Sequence, residues 1–155
     1  MTLLRRFLLI QSLMLWQGGF LFYTSFVVPI GTRVLGSAEG QGRITARVTD
    51  SLNICGVVAL TFMLTDMIRG RNRVRFCLWL MMAVQQGWLF FLHAQLDGLM
   101  DPGRSFVMDR DGFYSIHRAY LITSTIQWVL GLAWLWLTLR TYFSPTQNSD
   151  LRPFK

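Results

Sequence analysis

Lysine occurs once in this chain of 155 residues, histidine twice and cysteine twice, and charged residues of either sign make up only 15%. Each shortage closes off a class of protein. Cys55 and Cys77 are too few for a disulfide framework, and as small apolar residues they need no role beyond packing. No HxxxH or CxxC spacing, phosphate-binding glycine loop, nucleophile–base pair or metalloprotease motif is present. An enzyme is therefore not expected. Nor is there an internal repeat, a low-complexity block or a lipidation motif.

What the chain does have is apolar length: 52% of its residues are hydrophobic and its mean hydropathy is +0.37. Four runs stand out, at 7–30, 52–68, 76–96 and 119–139. A helix crossing a bilayer needs about 20 mostly apolar residues, with roughly 17–25 tolerated. The expected fold is an all-α integral membrane four-helix bundle over residues 1–140, followed by a short tail at 141–155. Arg5 and Arg6 ahead of the first run resemble the start of a signal peptide. The run is too long for one, and Phe20, Phe22, Tyr23 and Phe26 occupy the candidate cleavage positions, so it reads as a retained helix.

The net charge of +7 does not point to nucleic acid, because of where the charges fall. Arg69, Arg71, Arg73 and Arg75 crowd the loop between the second and third runs, as cytoplasmic loops do. Placing that loop inside also places Arg5, Arg6, Arg140, Arg152 and Lys155 inside, nine basic residues against six outside. Both termini are then expected in the cytoplasm, most simply at a bacterial inner membrane. The expected partners are the bilayer, anionic headgroups at the four loop arginines, and a second copy or a larger membrane complex.

The outer connections carry turn residues. Gly31, Gly36, Gly40 and Gly42 predict an irregular first loop. Ile44, Val48 and Leu52 recur every four residues, which predicts a helix entering the membrane from about Arg43. In the second outer loop, Asp101-Pro102-Gly103 and Asp111-Gly112 are turn signals. Asp109-Arg110-Asp111-Gly112 lacks the remaining ligands of a calcium loop.

Polar residues inside the runs carry the functional information, since in lipid they turn toward partners or a cavity. At about 100° per residue, Gln86, His93 and Asp97 share one face of the third helix. His117, Tyr120, Ser124, Gln127 and Gly131 share one face of the fourth. Gln11, Gly18, Phe22, Ser25 and Pro29 align on the first, and Asn53 and Gly56 sit at the outer end of the second. A polar pocket of Asn53, Gln86, Tyr120, Ser124 and Gln127 follows. His93, Asp97 and His117 lie near the outer interface, with Asp50 and Tyr114 at similar depth. Two imidazoles and a carboxylate suit copper or zinc, and a histidine pair suits haem. The plainer alternative makes both histidines interfacial anchors with no cofactor, with Asp97 opening a solvated loop. Near the other face, Asp66 lies within reach of Arg69 at an i,i+3 spacing.

WQGGFLFYTSFVVP in the first helix and FYSIHRAYLITSTIQW at the start of the fourth resemble the transmembrane-protein-205-like family of four-helix membrane proteins. Trp16, Gly18, Gly19, Phe113, His117 and Ser124 carry the likeness. Gln127 and Trp128 stand where that family's fourth helix usually has an asparagine. The first helix alone also resembles the copper-resistance D membrane domain, which implies copper handling. These likenesses imply an architecture and supply no catalytic residue.

Overall fold

Two polar side chains start helices where the apolar pattern alone marks no edge. Ser37 accepts the backbone N–H of Gly40 at 2.9 Å, and Asn72 accepts those of Val74 and Arg75 at 3.0 and 3.2 Å. Both satisfy backbone donors that a helix start leaves open. The computed structural model describes residues 2–68, 72–100 and 109–143. Arg69, Arg71, the Asp101-Pro102-Gly103 turn and the tail beyond 143 lie outside the described residues.

Four helices follow one another. Helix α1 is a continuous rod of Thr2–Leu13, Gly19–Phe22 and Val28–Leu35, joined by two wider π-helical turns, Met14–Gly18 and Tyr23–Val27. Helix α2 is Ala38–Met67, α3 is Arg73–Leu99 and α4 is Arg110–Phe143. All four are long and apolar enough to cross a membrane. Serine and threonine hydroxyls along them bond back to carbonyls three or four residues earlier, as at Thr24, Thr61, Ser124 and Thr138. A hydroxyl satisfied within its own helix costs little in lipid.

The first outer connection differs from the expected irregular loop. Gly31 lies inside α1, and Gly40 and Gly42 lie inside α2. The chain reverses over Gly36 and Ser37. Gly36 takes φ +64° at the end of α1, a left-handed conformation that glycine adopts without a Cβ penalty. In the second connection Asp109 accepts the N–H of Gly112 at 3.1 Å, so it caps α4.

The bundle is uneven along its length. At the end holding Thr2, Met67 and Arg73 (the near end), Leu9, Leu13, Met63, Met82 and Trp134 form a core with almost no exposure. Asp66 pairs there with Arg75 at 2.5 Å and with Arg5 at 3.2 Å, and the Arg75 guanidinium lies 4.6 Å from the Trp134 ring centroid. All four helices meet in this cluster. Asp66 thus takes partners from α1 and α3, while the expected neighbour Arg69 lies outside the described residues. Arg75, expected among headgroups, is 2% exposed. Its α3 start faces α2 and draws the guanidinium inward.

At the far end the helices follow α1–α2–α3–α4 as an arc. Each packs on the next, while α1 and α4 share few contacts. They meet through Gln17, whose side chain lies against Gly131: a Cβ on Gly131 would come within 2.5 Å of Gln17 Nε2.

The interior face of α1 is not the expected one. Gln11, Gly18, Phe22, Ser25 and Pro29 all point outward, and Leu9, Leu13, Trp16 and Tyr23 point inward. The five share one side, as a 100° step expects, but the bulkier Leu9, Leu13, Trp16 and Tyr23 on the opposite side fill the interior.

Candidate functional site

The unclosed far half encloses a cavity of about 880 Å³ lined by all four helices, within the range of small-molecule sites. Its floor is an amide network. Tyr120 donates its hydroxyl to Asn53 Oδ1 at 3.0 Å, and Gln86 Nε2 donates to the same oxygen and to the Asn53 carbonyl at 3.3 Å each. Gln127 Nε2 donates to Gln86 Oε1 at 3.1 Å and to the Met82 carbonyl at 3.0 Å. This network ties α2, α3 and α4 together. Hydrogen bonds between helices in lipid contribute roughly 0.6 kcal/mol each on average, so its larger effect is to fix the side chains in place.

Of the five residues expected to form a pocket, Asn53, Tyr120, Ser124 and Gln127 line the cavity. Gln86 stands behind Asn53 and supports it. Glycine at position 56 makes room for this: a Cβ there would lie 2.6 Å from Gln86 Oε1 and 2.9 Å from Trp16 Nε1. Asn53 is 3% exposed, and its Nδ2 has no hydrogen-bond partner among the described residues. A buried donor left unmade is costly, and this one belongs to a residue of the cavity wall.

Above the floor, His93 is 7% exposed. Its Nε2 lies 2.7 Å from Asp50 Oδ1 on α2 and 3.7 Å from Asp97 Oδ2 on its own helix. The approach to Asp50 is that of an ion pair without an aligned hydrogen bond. Both carboxylates are about half exposed, at 45% and 51%, so they form a wet rim over a buried ring. His117 also lines the cavity but stacks flat on Phe113, with ring centroids 5.8 Å apart and planes at 7°. The nearer aromatic neighbour of His93 is Tyr120, at 6.3 Å. Among the described residues no three His, Cys, Asp or Glu side chains come together as a metal-holding group. His93, Asp97 and His117 therefore share a cavity without forming a joint ligand set, because His117 turns to Phe113.

The α1–α2 wall holds residues that the sequence reading passed over. Gln41 Nε2 donates to the Tyr23 hydroxyl at 3.1 Å, and that hydroxyl donates to Thr45 Oγ1 at 3.1 Å. The i,i+4 spacing of Gln41 and Thr45 was a usable signal, hidden by the glycines around it. Tyr23 opens the second π turn, seven residues after buried Trp16 and on the same face. Comparison of the chain with protein-family profiles, with curated proteins and with solved structures yields no match.

Proposed function

We propose that this chain is a non-enzymatic membrane protein that holds a small ligand in its far-end cavity, in a transport-associated role. The cavity carries the reading, because all four helices line it and an interhelical amide network forms its floor. A purely structural bundle gains by filling such a volume, since packed interiors leave few voids. Holding it open with an amide network supported from behind is the arrangement of a binding site. The side chains around it offer hydrogen bonds and charge, and no nucleophile is held against a base. The arginine distribution orients the protein with its near end and termini in the cytoplasm, as in a bacterial inner membrane. The cavity then faces outward.

The test is ligand retention. The protein is extracted from its membrane in mild detergent, and bound small molecules are identified by native mass spectrometry. Ser124→Trp fills the floor and Leu121→Trp blocks the wall, and unfolding curves confirm that each variant folds. A species held by the wild type and reduced about tenfold in both variants is expected. Equal retention in all three, or none in the wild type, overturns the reading.

A further inference from the structure

The cavity has charges of both signs at its rim and an opening along its flank. On α2, Arg43, Arg47 and Asp50 lie at i, i+4 and i+7, one helical face, and all three line the cavity. Asp97 faces them from α3. Neither arginine forms an ion pair with any described carboxylate, while Asp50 and Asp97 are drawn toward His93. Among the described residues the rim therefore presents two guanidinium groups without an ion-pair partner next to two half-exposed carboxylates. A ligand that carries an anion and a cation together complements both.

The flank supplies the second half of the argument. α1 and α4 share few close contacts along their length. Leu121 and Tyr114 line the cavity and are still 41% and 65% exposed. Both therefore stand at the edge of an aperture on the α4 side. In a spanning bundle this aperture faces lipid. From Gln41 to Asn53 the cavity runs twelve residues along α2, ~18 Å at 1.5 Å per residue, from the helix end toward mid-bilayer.

We infer that the ligand is an amphiphile with a zwitterionic head, drawn sideways from the surrounding leaflet between α1 and α4. Its cationic group meets the half-exposed carboxylates of Asp50 and Asp97 from the solvent side of His93, and its anionic group meets Arg43 and Arg47. The region below the head lies over the Asn53–Tyr120 floor, and its hydrocarbon leaves through the slot past Leu121. This inference rests on the ligand-binding reading above and specifies the ligand class.

The test uses the full chain reconstituted in vesicles containing equal parts of three diacyl lipids with identical chains. One is the zwitterion phosphatidylethanolamine, one the anion phosphatidylglycerol and one a trimethylammonium cation. After mild re-extraction, bound lipid is read by native mass spectrometry. Enrichment of the zwitterion at least tenfold over each of the others is expected. Asp50→Asn should abolish its advantage over the anionic lipid, and Arg43→Gln/Arg47→Gln its advantage over the cationic one. These rim positions are exposed enough to change without unfolding the bundle, which melting curves verify. Bound lipid that mirrors the vesicle composition, or enrichment of a singly charged lipid, overturns the inference. So does displacement by soluble glycerophosphoethanolamine as effective as by the lysolipid, since the slot would then play no part. A non-lipid species retained by the wild type and lost in Leu121→Trp overturns the lipid class while the binding site stands. Retention of nothing at all overturns both.

Discussion

Gly56 and Asp66 show how much single positions decide here. Gly56→Ala pushes a methyl group against the Trp16 indole and the Gln86 carboxamide. The amide could rotate away only by breaking its bond from Gln127. Overpacking of this kind costs about 1–3 kcal/mol, so a lower unfolding midpoint in detergent is expected, together with weaker ligand retention. An unchanged midpoint would show that the network yields freely. Asp66→Asn leaves two guanidinium groups in the near-end core with no carboxylate between them. Removing one partner from a buried ion pair costs about 3–5 kcal/mol. Arg5→Gln should cost less, because the Arg5 side chain is 19% exposed and water can take its place. Equal losses for the two substitutions would mean that the cluster is better hydrated than its burial implies.

Among the elements, straight helices were legible and the interrupted one was not. On α4, Tyr120, Ser124, Gln127 and Gly131 all turn inward, because an unbroken α-helix keeps its phase over many residues. On α3, Gln86 and His93 turn inward for the same reason. The face aligned on α1 kept its phase but points outward, because periodicity says which residues share a side and not which side turns inward. The Asp50–His93 contact was hidden for another reason: it depends on how α2 and α3 are rotated about each other, which the pattern of either helix alone does not contain. The glycines between Gly31 and Gly42 misled in the opposite direction, because only Gly36 takes a conformation that needs glycine. Gly36→Val, forced to φ +64°, should therefore cost roughly 1–2 kcal/mol, while Gly42→Ala, where an added Cβ meets nothing within 4 Å, should be neutral or slightly stabilising. Comparing the two unfolding midpoints checks this, and a neutral Gly36→Val would place the reversal elsewhere.

The whole molecule divides into a sealed end and an open one, and its orientation decides which leaflet the open end serves. In the proposed orientation the open end lies outside, so a reporter enzyme fused after Lys155 should be active only in the cytoplasm. A cysteine placed at exposed Tyr114, with Cys55 and Cys77 replaced by alanine, should react with a membrane-impermeant maleimide added outside intact cells. Labelling only after the cells are broken would invert the assignment. The apolar runs were enough to anticipate four helices long and apolar enough to cross a membrane. They say nothing of the gap between α1 and α4, because a missing contact leaves no mark on either partner's sequence.

That gap gives Gln17 a mechanical meaning. Below it, the Arg5–Asp66–Arg75 cluster and the apolar core clamp α1 to the rest. Above it, α1 rests on α2 through Tyr23, Gln41 and Thr45. The Gln17 carboxamide against Gly131 is thus a fulcrum, and the upper length of α1 is a lever lying across it. A side chain added at Gly131 would lift that lever as a wedge does, pressing on Gln17 at the cavity's edge and widening the mouth above it.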